Sequence, residues 1–246
     1  MSVYSRIASS INGGLDRVGY RVNRLPTPPD NCRLRAIERL GIDLVLDIGA
    51  NVGQYACALR RYGYRGRIVS FEPLPGAFAA LSAAAARDPL WQVRNVAAGA
   101  LATRLTMYVS DKRVSSSLLP ITAASIAAAP ASQATKTIDV DVVTLEDVIA
   151  AEREARIMLK IDAQGYEWPV LQGCGSGIER IALLDVEMSL QPMYDGQALF
   201  DQVDGWIVAR GFRRIGFDTG FWNRTSGELL QLDGIYARGE TECLAS

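Results

Sequence analysis

No histidine occurs among the 246 residues, which removes the commonest general base at neutral pH and the commonest metal ligand. Any chemistry must therefore fall to carboxylates, lysine, tyrosine, cysteine or a carboxylate-held metal. Cysteine is scarce as well. Cys32, Cys57, Cys174 and Cys243 stand far apart, without the paired spacing that brings two thiolates to one zinc ion, so reduced structural thiols are expected. No apolar run reaches the roughly 18 residues of a membrane span, and the first residues lack the compact apolar core of a secretory signal. A cytoplasmic location is the expectation. Neither sign of charge is in excess: 26 Lys and Arg stand against 27 Asp and Glu. No global field draws the protein onto nucleic acid, and nucleic acid is not expected as a partner.

What remains is a globular composition, 49% hydrophobic and 22% charged, which argues against disorder and supports a full core. The length suits one α/β domain with elaborations, divided here into an N-terminal helical extension and linker over 1–40 and a main domain over 41–246. Val3, Ile7, Ile11, Leu15 and Val18 lie near a helical stripe, with Arg6, Arg17, Arg21 and Arg24 between them and Asn12, Gly13 and Gly14 interrupting. A helix packed on the domain is the preferred reading, and peripheral membrane contact through that helix is the alternative. Leu25-Pro26-Thr27-Pro28-Pro29 is expected to be an extended linker, because proline biases its predecessor away from helix. A helix over Cys32 to Leu40 follows.

Ile42 to Ile48 is almost continuously apolar and β-branched, as a central parallel strand requires. A glycine-bearing turn and an Ala-rich helix come next. Arg67 to Phe71 is the second buried strand, and Pro75, Phe78 and Leu81 open a helix after it. Trp91 to Val96 is a third strand and Leu105 to Val109 an extra one. Thr122 to Lys136, rich in Ala, Ser and Thr, is expected to be a mobile loop or weak helix. Ile138 to Val143 alternates as a half-exposed strand, and Thr144 to Asp147 looks like a capped helix start. Ile157 to Ile161 and Ile181 to Val186 are core strands, each followed by an acid, Asp162 and Glu187. Phe212 to Phe217 and Leu229 to Tyr236 close the chain as a strand pair. The pattern predicts a doubly wound, mostly parallel sheet with one antiparallel terminal strand.

In such sheets ligands collect beyond the carboxyl ends of the strands. Asp47-Ile48-Gly49-Ala50-Asn51-Val52-Gly53-Gln54 closes the first strand with two glycines that permit a sharp turn and close ligand approach. Glu72 ends the second strand, about 20 residues on, where a carboxylate can accept from both hydroxyls of a ribose. The glycine spacing differs from the dinucleotide fingerprint, and Asp47 before the turn favours a ligand bearing positive charge. S-adenosylmethionine carries an ammonium and a sulfonium. A nicotinamide dinucleotide, and hence an NAD-dependent oxidoreductase, is the enzymatic alternative; a regulatory module that binds S-adenosylmethionine without turnover is the other.

Asp47 to Gln54, Phe71-Glu72-Pro73, Ser115-Ser116-Ser117-Leu118, Leu159 to Glu167 and Glu187 together resemble the FkbM family of methyltransferases in order and spacing. The resemblance spans about Ile42 to Glu187. The family often has Glu or Gln at the position of Gln164 and Val at that of Ala163, and neither difference disturbs the resemblance. It implies a Rossmann-like class I methyltransferase fold, S-adenosylmethionine as donor, and O-methylation of a sugar, glycolipid or natural-product hydroxyl. It further places Asp47, Gly49, Ala50, Asn51, Gly53 and Gln54 at the cofactor turn, Glu72 with Pro73 at the ribose, and Asn95 and Ala97 beside the adenine.

Methyl transfer is an in-line displacement that depends on proximity and orientation, and a hydroxyl acceptor must lose a proton. Asp162 and Glu187 are the expected catalytic acids, with Asp162 also beside the cofactor. Alternatively the two share a Mg²⁺ that lowers the acceptor pKa. Lys160, two residues before Asp162, points to the same face and is expected to pair with an acid. Ser116, in the serine run, is a hydrogen-bonding candidate for cofactor or substrate, with a solvated turn as the alternative. Tyr166, Glu167 and Trp168 are acceptor-side candidates, although Tyr166 and Trp168 also suit a core. The small-molecule acceptor's identity and homo-oligomerisation stay open.

Overall fold

The computed structural model describes residues 25–110, 115–128, 130–223 and 226–239. The helical stripe expected before residue 25, its membrane contact, and Cys243 lie outside them. Cys32, Cys57 and Cys174 are free thiols.

The central strands of a seven-stranded sheet are apolar on both sides: every residue of β1 (Leu44–Ile48) is buried, as are most of β2 (Arg67–Phe71), β7 (Ile157–Ile161) and β8 (Ile181–Ser189). With β3 (Trp91–Arg94), β9 (Phe212–Thr219) and β10 (Gln231–Arg238), the order is β3-β2-β1-β7-β8-β10-β9. Only β10 runs antiparallel to its neighbours. The strand order reverses at β1, between β2 and β7, which makes this a doubly wound, Rossmann-like sheet whose ligand crevice is expected beside β1.

Alternate residues serve the two faces. Leu44, Leu46, Ile48, Leu159 and Ile161 pack with Leu145 and Ile149 of α5 (Leu145–Ala151), Val170 and Leu171 of α6 (Glu167–Gln172) and Val203 and Ile207 of α7 (Phe200–Ala209). Val45, Ile68, Met158, Leu183 and Ile235 face the other way. They meet Ala36 and Ile37 of α1 (Pro28–Leu40) and Ala56 and Leu59 of α2 (Gln54–Arg61), while Leu81 of α3 (Pro75–Ala85) joins the same cluster.

Several boundaries depart from the sequence expectation. Pro28 and Pro29 are the first turn of α1, not an extended linker. A proline in that turn forfeits no intrahelical hydrogen bond, and Thr27 completes a reciprocal cap with Asp30, the Thr27 Oγ1 accepting from the Asp30 backbone and the Asp30 carboxylate accepting from the Thr27 N–H. Thr144 sits at the N-cap of α5 but its side chain caps no backbone N–H; its hydroxyl donates to Asp147 at 3.3 Å instead. The Ala-rich stretch after Thr122 is a short helix, α4 (Ala123–Ala128), and a turn of 3-10 helix over Pro130–Ser132. The two extra strands leave the main sheet altogether. β5 (Thr103–Ser110) and β6 (Ala134–Val143) pair antiparallel, and β4 (Ala97–Ala98) adds to β6 in parallel, giving a separate three-stranded sheet. β8 also continues to Ser189, so Glu187 lies inside a strand and not after it. The ladder to β10, which runs from Ser189↔Gln231 inward, extends it.

One side chain fastens α1 across three strands. Arg33, buried, donates from Nε to Asp185 of β8 at 2.6 Å, from Nη1 to Asp218 of β9 at 3.0 Å, and from Nη2 to Asp233 of β10 at 3.5 Å. Removing one partner of a buried ion pair leaves the other desolvated and unpaired. Arg33→Met is therefore expected to destabilise the fold by about 3–5 kcal/mol, as a lower denaturation midpoint in urea at constant slope.

Candidate functional site

The carboxyl end of β1 turns on left-handed residues: Gly49 at φ +75°, Asn51 at +49° and Gly53 at +89°. A Cβ on Gly49 would stand 1.8 Å from the Asp162 carbonyl oxygen, so only glycine lets this turn press on the loop after β7. The Gly49 and Ala50 N–H groups both donate to the Phe71 carbonyl at 3.0 Å, and the Asp162 N–H donates to the Ile48 carbonyl at 3.1 Å. Three loops are thus joined through backbone.

Glu72 organises the next wall. Its Oε2 accepts from the Asn51 N–H and its Oε1 from the Leu74 N–H, each at 2.8 Å. Burial pushes this carboxyl above its ordinary pKa. Asn95 secures the same segment from behind, donating to the Glu72 and Pro73 carbonyls at 2.8 and 3.1 Å. From there the chain crosses into the small sheet, which brings Ala97 and Ala98 over the crevice.

The result is a cleft with about 680 Å³ of empty space, counting that open to solvent at its mouth. Its polar lining is Asn51, Glu72, Ser116, Asp162 and Gln164; its apolar walls include Phe71, Leu74, Met107, Leu118 and Tyr166. A second cavity, with about 910 Å³ of empty space on the same count, opens on the other side of the β1 turn and shares Gly49, Asn51 and Asp162 with the first. Arg33, Lys160, Asp185, Asp218 and Asp233 line it, with Ala50 and Gln54 at the turn.

Asp47 does not reach either cavity. Strand alternation turns it into the interior, fully buried, so the expected contact with a ligand is corrected to a position beneath the turn. Its Oδ2 accepts from Ser70 Oγ at 3.0 Å, and Ser70 accepts in turn from Trp91 Nε1 at 3.0 Å. Asp47 Oδ1 makes no hydrogen bond, its nearest cation being Lys160 Nζ at 3.6 Å. Burial therefore holds the carboxyl above its ordinary range. Lys160 also reaches Asp162 at 3.4 Å. Burial opposes its charge, yet the Asp162 and Asp47 carboxylates prevail and hold the ammonium above the usual lysine pKa.

Asp162, Gln164 and Glu187 form the densest polar group. Gln164 Nε2 donates to Asp162 Oδ1 at 2.7 Å and to Glu187 Oε2 at 3.2 Å, and Gln231 Nε2 donates to the same Glu187 oxygen at 3.2 Å. Desolvation, reinforced by the charges of Asp162 and Glu167, lifts Glu187 well above the usual carboxylate range. The shared Mg²⁺ does not fit this arrangement. An amide donor stands where a cation would need lone pairs, and among the described residues no group of three or more His, Cys, Asp or Glu side chains is placed to hold a metal.

Of the expected site residues, Gly49, Asn51, Glu72, Pro73, Ala97, Ser116 and Asp162 line the cleft. Ala50, Gln54 and Lys160 line the second cavity. Gly53 packs against Trp91 and Asn95 supports the wall from outside; Glu187 touches the cleft only through Gln164. Trp168 stacks edge-on with Trp206 at 5.7 Å as a core residue. Glu167 turns inward and is not an acceptor-side contact. Its Oε1 accepts from the Ala163 and Gly165 N–H groups at 2.9 and 3.0 Å. Met107 and Ala98 escaped sequence reasoning because they come from the small sheet, and Leu118, named only within the serine motif, was given no role. Gln164 stood in the family-like motif without a role of its own, its one signal being an amide just before a glycine in a strand-end loop, and Tyr194 carried none.

Glu167, which is 3% exposed, has its carboxyl raised to about 7, chiefly by burial. The folded state thus binds more protons than the unfolded one between about pH 4.3 and 7, and stability falls as pH rises through that window. In Glu167→Gln the amide oxygen can still accept both N–H groups. Thermal melts from pH 5 to 8 should decline less steeply in this variant than in the parent.

A family model described as the methyltransferase FkbM domain matches residues 47–214. No curated protein matches the chain. Solved structures of similar shape include an rRNA methylase from Streptococcus thermophilus, at 10% identity and a TM-score of 0.47, covering 88% of this chain and 100% of that one. A putative tRNA (m1A22) methyltransferase from Streptococcus pneumoniae, in complex with S-adenosyl-L-methionine, shares 11% identity at a TM-score of 0.46, covering 88% of this chain and 75% of that one.

Proposed function

The chain belongs to the FkbM methyltransferase family, and from that premise we propose that it moves a methyl group from S-adenosylmethionine to a hydroxyl of a sugar, glycolipid or natural product. The observation that carries the proposal is the meeting of two cavities at Asp162: a cleft with an apolar wall and the Glu72 carboxylate in it, and a carboxylate-rich chamber behind the β1 turn.

The residues present fit a positively charged nucleoside. Phe71, Leu74, Met107 and Leu118 offer flat apolar surface for a base, and Glu72, although it holds two backbone N–H groups, retains lone pairs for ribose hydroxyls. Beneath the turn Asp47 and Asp162 set two carboxyls against one ammonium, that of Lys160. Bound in the cleft, S-adenosylmethionine supplies a methyl on a sulfonium, ready for in-line displacement. Asp162 would take the acceptor's proton as the methyl passes from sulfur to oxygen, leaving S-adenosylhomocysteine, and Lys160 beside it would steady the carboxylate. The apolar walls keep water from competing.

Thermal shift with S-adenosylhomocysteine is the first test, with NAD as its control; stabilisation by NAD alone would favour an oxidoreductase. Calorimetry then separates the roles. Glu72→Ala should weaken S-adenosylhomocysteine binding by about 10- to 100-fold, the worth of hydrogen bonds to a charged group, whereas Asp162→Asn should spare binding. Equal losses would refute the division. Comparing metabolites of a deletion strain and its parent for one missing methyl identifies the acceptor, and binding with no such difference would support a regulatory module.

A further inference from the structure

Gln164 holds a backbone conformation that side chains seldom adopt, φ +52°, next to Gly165 at +93°. Four contacts maintain it. Ser117 Oγ donates to the Gln164 carbonyl at 2.6 Å, Glu167 grips the flanking N–H groups, and the Tyr194 ring covers Gly165 so closely that a Cβ there would stand 2.5 Å from it. The Tyr194 hydroxyl then donates to Gln164 Oε1 at 3.2 Å. The same hydroxyl lies 3.3 Å from the Ser115 carbonyl, so the amide orientation is fixed at the other end, where the Asp162 carboxylate, an acceptor only, stands 2.7 Å away. The nitrogen therefore points at Asp162 and Glu187, and the oxygen at the phenol.

We propose that Gln164 is a positioning residue: one amide nitrogen, splitting its two hydrogens between Asp162 and Glu187, clamps the carboxyls together and aims Asp162 into the cleft. The inference rests on the reading of Asp162 as the acceptor-side base. An amide can donate to both carboxylates at once, which an ionised acid cannot. Positive charge is no substitute, because Lys160 already approaches Asp162 from its other side. Glu187 is faced by Asp162 and Lys160 of β7 and its following loop, Glu167 of α6, Asp233 of β10 and the Tyr194 phenol, with Gln231 as its other donor. Loss of the Gln164 donor therefore has a definite sign: the Glu187 carboxylate becomes harder to form.

The test follows Glu187 by carbon-13 NMR in protein labelled at the glutamate carboxyl, with Glu187→Gln assigning the signal. In Gln164→Glu, which is isosteric, the Glu187 midpoint should rise by at least about one pH unit, a tenfold change in its proton affinity. Gln164→Asn provides the second variant. Asparagine tolerates the left-handed backbone but withdraws the amide by one carbon–carbon bond, about 1.5 Å, and the midpoint should again rise, by less. A residue that merely supported the fold would act in the opposite direction, because a loosened site hydrates Glu187 and lowers its midpoint. The rise in Gln164→Glu includes the repulsion of the added charge, so the neutral variant decides: an unchanged or lowered midpoint in Gln164→Asn overturns the proposal. Calorimetry of the parent protein with S-adenosylhomocysteine runs alongside. Failure of the parent itself to bind would sink the donor assignment while leaving the clamp to be judged by the titration.

Discussion

The site is organised by a contact between two pieces of backbone. Gly49 lies so close to the Asp162 carbonyl that no Cβ fits between them, and this approach brings together the ends of β1 and β7, neighbours in the sheet at its topological switch. Both cavities border the contact. The cleft runs along it towards Glu72 and Ser116, the chamber behind it towards Arg33 and Asp233, and Asp162 belongs to each. A side chain at residue 49 would separate the loops by more than an ångström, and Asp162 could no longer face a ligand held against Asn51.

Around that contact the charges are unequal. Arg33 and Lys160 serve Asp47, Asp162, Asp185, Asp218 and Asp233, with Glu187 alongside. Carboxylates crowded in this way can stay close only if some keep their protons or a neutral donor comes between them. Both devices are present: desolvation and neighbouring acids raise Glu187 and Asp233, and the Gln164 amide separates Asp162 from Glu187. The surplus of acid is also what a sulfonium would meet favourably and a pyrophosphate would not.

How much of this was legible beforehand depended on the range of each interaction. β1, β2 and β7 were plain because a strand buried on both faces shows as an unbroken apolar run, and Gly49, Glu72 and Asp162 followed from their places at strand ends. The helix start at Pro28 was hidden by prolines that mean extended chain in general and first turn only when a cap such as Thr27 precedes them. Asp47 was misplaced for a different reason. Strand parity determines which face a residue takes, but not whether that face is open to a ligand, and here α1 and α2 cover it. The small sheet could not be inferred, because β4 is two residues long and pairs with a strand more than thirty residues later.

The missing histidine returns in the energetics. A chain without imidazole has no side chain whose ordinary pKa lies near neutrality, yet this one places two carboxyls at about 7, Glu167 and Asp233, and a third above the usual range, Glu187. For the buried Glu167 each pH unit of such displacement corresponds to about 1.4 kcal/mol of disfavoured charge, a cost borne by the folded state, while for the partly exposed Asp233 solvent screening makes it smaller. The compensation comes from sheet packing and from fixed donors: backbone N–H groups for Glu167, amides for Glu187, a guanidinium for Asp233. Acid–base capacity near neutral pH is thus built from desolvation and donor placement, and it belongs to the group of carboxyls as a whole, since each one's protonation depends on the charge of the next.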